Sequence, residues 1–72
     1  MAVLNLDESK QYATDYSTDG GRTWVAESSG HCSAMVVAEV LHADELGLPV
    51  EVNGPIVTIC DGNGVTRWTP TS

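Results

Sequence analysis

Apolar and polar positions first alternate along this chain, then recur at helical spacing, then alternate again. From Gln11 to Tyr16, Tyr12, Thr14 and Tyr16 fall on one face and Ala13 and Asp15 on the other. A period of two in aromatic and β-branched residues predicts a strand. Gly20 and Gly21 supply the positive φ of a tight turn, and Thr23 to Glu27 predicts the returning strand. Ser28-Ser29-Gly30 breaks the alternation and suits a helix cap. A helix is then expected from about His31 to Leu46, with Ala34, Val37, Ala38 and Leu41 at i, i+3, i+4 and i+7. Its end is well marked. Gly47 suits the left-handed position, Leu48 the apolar position after it, and Pro49 blocks continuation.

Beyond the helix, Val50 to Val52 reads as a short strand. Asn53-Gly54 is a hairpin dipeptide, weakened by Pro55, which lacks a ladder donor. Ile56 to Cys60 is rich in β-formers and predicts the central strand. Asp61-Gly62-Asn63-Gly64 makes a second tight turn. Val65 to Thr69 returns from it, with Val65 and Arg67 on one face and Thr66 and Trp68 on the other. In residues 1–10, Leu4 and Leu6 alternate with Asn5 and Asp7, which permits a short strand or a loose arm. Residues 70–72 read as a loose tail. The expected architecture is one α+β domain spanning residues 1–72. It has an antiparallel sheet of three to five strands in β-β-α-β-β order, with one helix packed on one face.

The helix carries a second apolar row, Cys32, Val36, Val40 and Ala43, extended by Met35 and Leu46. It lies roughly 120–160° around from the first at ~100° per residue. A helix laid on one sheet needs one row. Two rows predict a second cover: the N-terminal arm, a second copy making a homodimer, or a foreign partner.

Ser17, Asp19, Gly21, Thr23 and Trp24 follow the spacing Ser-x-Asp-x-Gly-x-Thr-Trp. This stretch resembles an Asp-box, the hairpin turn of sialidases and related β-propellers. The resemblance covers residues 17–24 alone, and a propeller needs a far longer chain. It implies a structural turn with Trp24 packed, away from any catalytic centre. It also raises a carbohydrate-binding or hydrolase reading, but a hydrolase needs two placed carboxylates, and nothing marks such a pair.

Charge narrows the partners. Ten acidic residues face three basic ones, a formal net charge of −7. Lys10, Arg22 and Arg67 lie far apart, whereas a phosphate-binding surface needs clustered cations. Direct nucleic-acid binding and anionic membranes are disfavoured, and a protein with a basic surface is favoured. No acidic run exceeds two residues, which fits a solvated acidic surface better than mimicry of nucleic acid. The N-terminus lacks the basic and apolar regions of a signal peptide, and no apolar run approaches the ~18 residues of a membrane span. The chain is therefore expected to be cytoplasmic. Cys32 and Cys60 are then reduced thiols, read as small buried hydrophobes.

Enzyme readings fail on spacing. His31, Cys32, His42 and Cys60 are the soft ligand candidates, but no pair has usual zinc spacing. Asp61-Gly62-Asn63-Gly64 opens like a calcium loop, yet Val65, Thr66 and Ser72 stand where a ligand, a glycine and a glutamate are required. Cys32 and His31, adjacent on a helix, point apart and cannot pair as nucleophile and base. So small a domain leaves little room for a pocket of ~300 Å³. No catalytic, metal or cofactor residue is assigned. The expected function is non-enzymatic: an acidic protein-binding module acting as an intracellular inhibitor or regulator. In format it is similar to phage-encoded anti-defence proteins such as anti-CRISPR proteins, and to antitoxins. A self-associating structural domain is the alternative. Candidate partner contacts are Tyr12, Tyr16, Arg67 and Trp68, since aromatics and Arg dominate hot spots, with Val36 and Val40 on the helix.

Overall fold

The computed structural model describes residues 6–71. The chain runs β1 (Tyr12–Ser17), β2 (Val25–His31), α1 (Ser33–Glu45), β3 (Val50–Asn53), β4 (Ile56–Cys60) and β5 (Val65–Pro70). One sheet holds all five strands in the order β2-β1-β5-β4-β3, and every neighbouring pair is antiparallel.

The α+β class holds, but the element order is β-β-α-β-β-β, one strand more than the expected β-β-α-β-β. The strand beyond that order is β3, the short strand readable at Val50 to Val52, which pairs with β4 from Val50↔Ile59 to Asn53↔Ile56. Pro55 does not prevent this, because it sits in the turn where no ladder hydrogen bond is needed. Gly54 takes the first central turn position at φ +62°, the place a II′ hairpin gives to glycine. The central strand is β5, not Ile56–Cys60, because β1 joins the sheet on the far side of β5. Pro70 belongs to β5, and the Thr71 N–H donates to the Gln11 carbonyl at 2.9 Å, so these two residues are tied down. Ser72 lies outside the described residues.

Ser28-Ser29-Gly30 is not a helix cap. It continues β2 through two register irregularities, the second spanning Gly30 at φ +78°. Small polar residues on an edge strand show no apolar alternation, and bulges of this kind blunt an edge against further pairing. His31 therefore ends a strand, and Cys32 is the exposed helix N-cap, without a side-chain hydrogen bond. At the other end the expected stop is formed. Gly47 has φ +73°. The N–H of Leu48 reaches the carbonyl of Ala43 at 2.9 Å, and that of Gly47 reaches Asp44 at 3.1 Å. This is the paired closure of a Schellman motif.

Connectivity sets where the helix travels. It leaves β2 at one edge, where His31 pairs with Tyr12. It enters β3 at the other edge and opposite end, where Val50 pairs with Ile59. Its 13 residues rise about 20 Å at ~1.5 Å each. Four inter-strand gaps of ~4.8 Å span about 19 Å. The segment thus runs from one corner of the sheet toward the opposite corner.

Val36, Val40 and Ala43 from α1 form one buried cluster with Tyr12, Val57, Ile59 and Trp68. The register places the strand members on one sheet face: Thr14 opposite Trp68, Trp68 opposite Val57, Ile59 opposite Thr66. Each fully buried valine contributes roughly 1.5–3 kcal/mol of transfer free energy. Leu6 packs against this cluster from the N-terminal segment. The Asp7 N–H donates to the Tyr12 hydroxyl at 2.9 Å. Within residues 6–10 there is a turn and not a strand, and Leu4 lies outside the described residues.

Candidate functional site

The surface of α1 divides sharply. Val36 and Val40 are fully buried and Ala43 nearly so. The row Ala34, Val37, Ala38 and Leu41 lies on the far side of the helix. Val37 is half-buried and the other three are exposed, Leu41 by 48%. Met35 and Leu46, on the helix flank, are exposed by 44% and 60%. Of the two apolar rows, the Val36/Val40 row is internal and the Leu41 row faces outward in the single chain. Neither the sheet nor the described part of the N-terminal segment covers the second row. Asp44 and Glu45 are exposed beside it.

Four of the six expected partner contacts lie in the core. Tyr12, Val36 and Val40 have no exposed surface and Trp68 has 6%. This corrects the reading of these four as partner contacts: they are core residues. The inward parity of β1 and β5 that seats Tyr12 and Trp68 in the buried cluster became visible only with the register. Tyr16 and Arg67 are half-buried. Tyr16 packs against the second turn: a Cβ on Gly64 would lie 2.6 Å from its ring and hydroxyl. Burial, then the negative charges of Asp61 and Glu27, raise the Tyr16 phenol above its ordinary pKa. Arg67 is held internally on the other sheet face. Its guanidinium reaches the Asp15 carboxylate at 3.0 Å and lies over the Trp24 ring at 4.1 Å. Its Nε is buried without a partner among the described residues.

That stack gives Trp24 its packing, and the turn that delivers Trp24 is densely bonded. The Ser17 hydroxyl donates to Asp19 Oδ1 at 2.7 Å and accepts from the Gly21 N–H at 2.9 Å. Asp19 Oδ1 also accepts the N–H groups of Arg22 and Thr23, each at 3.0 Å, and Oδ2 accepts the Thr23 hydroxyl. These donors, the Thr23 hydroxyl foremost, hold the Asp19 carboxyl well below the usual carboxylate range. Gly21, at φ +96°, lies where a Cβ would touch the Trp24 ring at 3.4 Å. The side chains of this turn are committed to its own backbone, so its chemistry is structural.

The remaining chemistry-bearing residues are dispersed. His31 is bonded to the Ser28 hydroxyl at 2.7 Å and meets Trp68 edge-on at 5.2 Å. Cys60 is half-buried in β4. Asp61 Oδ1 accepts the N–H groups of Asn63 and Gly64, each at 2.9 Å, as an ordinary turn acceptor. The expectation of little room for a pocket fails on volume. An open hollow of about 810 Å³ lies along residues 6–10, Pro55 and Pro70. In it Asp7 is already engaged by the Ser9 N–H and hydroxyl. A smaller cleft of about 180 Å³ lies between α1 and the sheet. Glu39 and His42, three residues apart on the helix, stand at its rim. The signal for the cleft is three-dimensional, since Asp61 and Trp68 reach it from the β4–β5 hairpin. No family model, curated protein or solved structure matches the chain.

Proposed function

We propose that the chain is a non-enzymatic, acidic protein-binding module that docks the outer row of α1 on a partner with a basic surface, as an intracellular inhibitor or regulator would. On this reading α1 lies against one face of the sheet through Val36, Val40 and Ala43, and offers Leu41, Ala38, Ala34 and part of Val37 outward. The observation that carries it is Leu41, a large aliphatic side chain 48% exposed at the C-terminal end of that row. Scattered exposed leucines are ordinary, but a contiguous apolar row on a small domain marks an interaction surface. The net charge of −7 supports a basic partner, with association faster at low salt. It also weighs against a second copy as the cover, because each copy would bring the same charge. Among the described residues no helix is long and apolar enough to cross a membrane.

The test is affinity capture with the wild-type chain and with Leu41→Asp, each confirmed folded. The expected result is a stoichiometric protein of basic surface held by the wild type at low salt and lost from the variant. Equal capture by both chains, or no stoichiometric partner, would sink the reading. Light scattering on the same samples reads the self-associating alternative, which expects a dimer mass that Leu41→Asp halves.

A further inference from the structure

A helix running corner to corner over a five-stranded sheet leaves two corners of that face beside it. One takes Leu6, which packs on the core cluster from the N-terminal segment. The other, by the β4–β5 turn, has no such plug and forms the cleft of about 180 Å³. Its walls are apolar: Ala43 and Leu48 from the helix end, Ile59 and Trp68 from the sheet. Trp68 is 94% buried, since only 6% of it is exposed, and its indole N–H has no acceptor among the described residues. The rim carries Glu39 and His42 from the helix on one side and Asp61 on the other, two carboxylates to one imidazole. None of the three basic residues lines it. Arg67, next to Trp68 in β5, is paired with Asp15 on the opposite face. Burial, and after it the negative charge of Asp61, raise the Tyr16 phenol nearby.

We infer that this cleft receives one basic side chain, an arginine or lysine of the partner protein, with its methylene stem against Leu48, Ile59 and Trp68 and its cationic head between Glu39 and Asp61. A long basic side chain has this divided character, an apolar stem with a charged tip. An apolar slot with two carboxylates at its mouth complements both parts, and a cation near an indole gains further attraction. The inference rests on the proposed binding of a basic protein surface and names the feature of that surface which is recognised.

The probe is N-acetyl-arginine N-methylamide, titrated into the isotope-labelled chain and followed by NMR at the Trp68 indole N–H and the Thr66 amide. Its neutral isostere, the citrulline derivative, is the control. The variant is Glu39→Gln with Asp61→Asn, which removes both charges while Asn keeps the oxygen that accepts from Asn63 and Gly64. The expected result is a saturable shift in the millimolar range with the arginine probe. Binding should weaken about fivefold to tenfold for the citrulline probe and again for the double variant, as loss of two exposed charge pairs allows. No saturable shift, an equal response to both probes, or an unchanged response in the double variant overturns the inference. The probe needs no partner protein, so a silent cleft removes this inference whatever capture gives. A responsive cleft supports it even where capture fails, which tells the two failures apart.

Discussion

The inner and outer rows of α1 are built from the same kinds of residue, yet they have opposite fates. Val36, Val40 and Ala43 are sealed into the core, whereas Ala34, Ala38 and Leu41 stand in water. Hydrophobicity therefore says that a helix face is to be covered, but not by what. The inner row is covered by this chain, so its changes should register in folding. The outer row is covered by nothing among the described residues, so its changes should register in association. The experiments below press on that division.

The largest effect among truncations is expected at Val36→Ala. Two buried methyl groups and the cavity they leave cost about 2–3 kcal/mol, measured by urea unfolding. Ala38→Gly on the outer row should cost no more than its helix-propensity difference, about 1 kcal/mol. Gly64→Ala comes next. The new Cβ would press on the Ser17 carbonyl and on the Tyr16 ring, and relieving such overpacking costs roughly 1–2 kcal/mol. Arg67→Ala removes the Asp15 pair and the stacking on Trp24. Both side chains of the pair keep 31% and 23% exposure, so solvent screening limits the loss to roughly 0.5–1 kcal/mol. A blue-to-red shift of Trp24 emission would accompany it.

The last effect concerns acid. The folded pKa of Asp19 is depressed below its ordinary value of 3.8, so the unfolded chain binds its proton first as pH falls. Its contribution is complete well above that value and is lost as pH drops toward the folded pKa. Asp19 is solvent-facing, which screens the effect. Comparing the acid limbs of wild type and Asp19→Asn isolates it. A difference between the two curves that persists undiminished below pH ~3 would contradict the assignment.

Much of the architecture was legible because local chemistry and fold agree. Gly47-Leu48-Pro49 announces the helix end, Gly20-Gly21 and Asp61–Gly64 announce turns, and Tyr12/Thr14/Tyr16 announces a strand. Three features were not legible, each for a physical reason. Ser28-Ser29-Gly30 looks like a break because an exposed edge strand needs no apolar alternation. The place of β5 at the sheet centre depends on the long-range pairing of β1 with β5, which no local pattern encodes. The burial of Trp68 and Tyr12 follows from that same pairing. At the candidate site, the two helix rows were readable from periodicity alone. Which of them is buried was not, because both offer comparable apolar area. The cleft was hidden because Glu39 and Asp61 are distant in sequence and meet only across the helix and a hairpin.

The division of α1 is tested most directly by the unfolding free energies of Val40→Asp and Leu41→Asp, adjacent positions given the same charge. The account predicts that Val40→Asp loses about 3 kcal/mol or more, as an unpaired buried charge does. Leu41→Asp should stay within about 0.5 kcal/mol of the wild type. Comparable losses at the two positions would mean that the outer row is already covered in the free protein, and the division would fall.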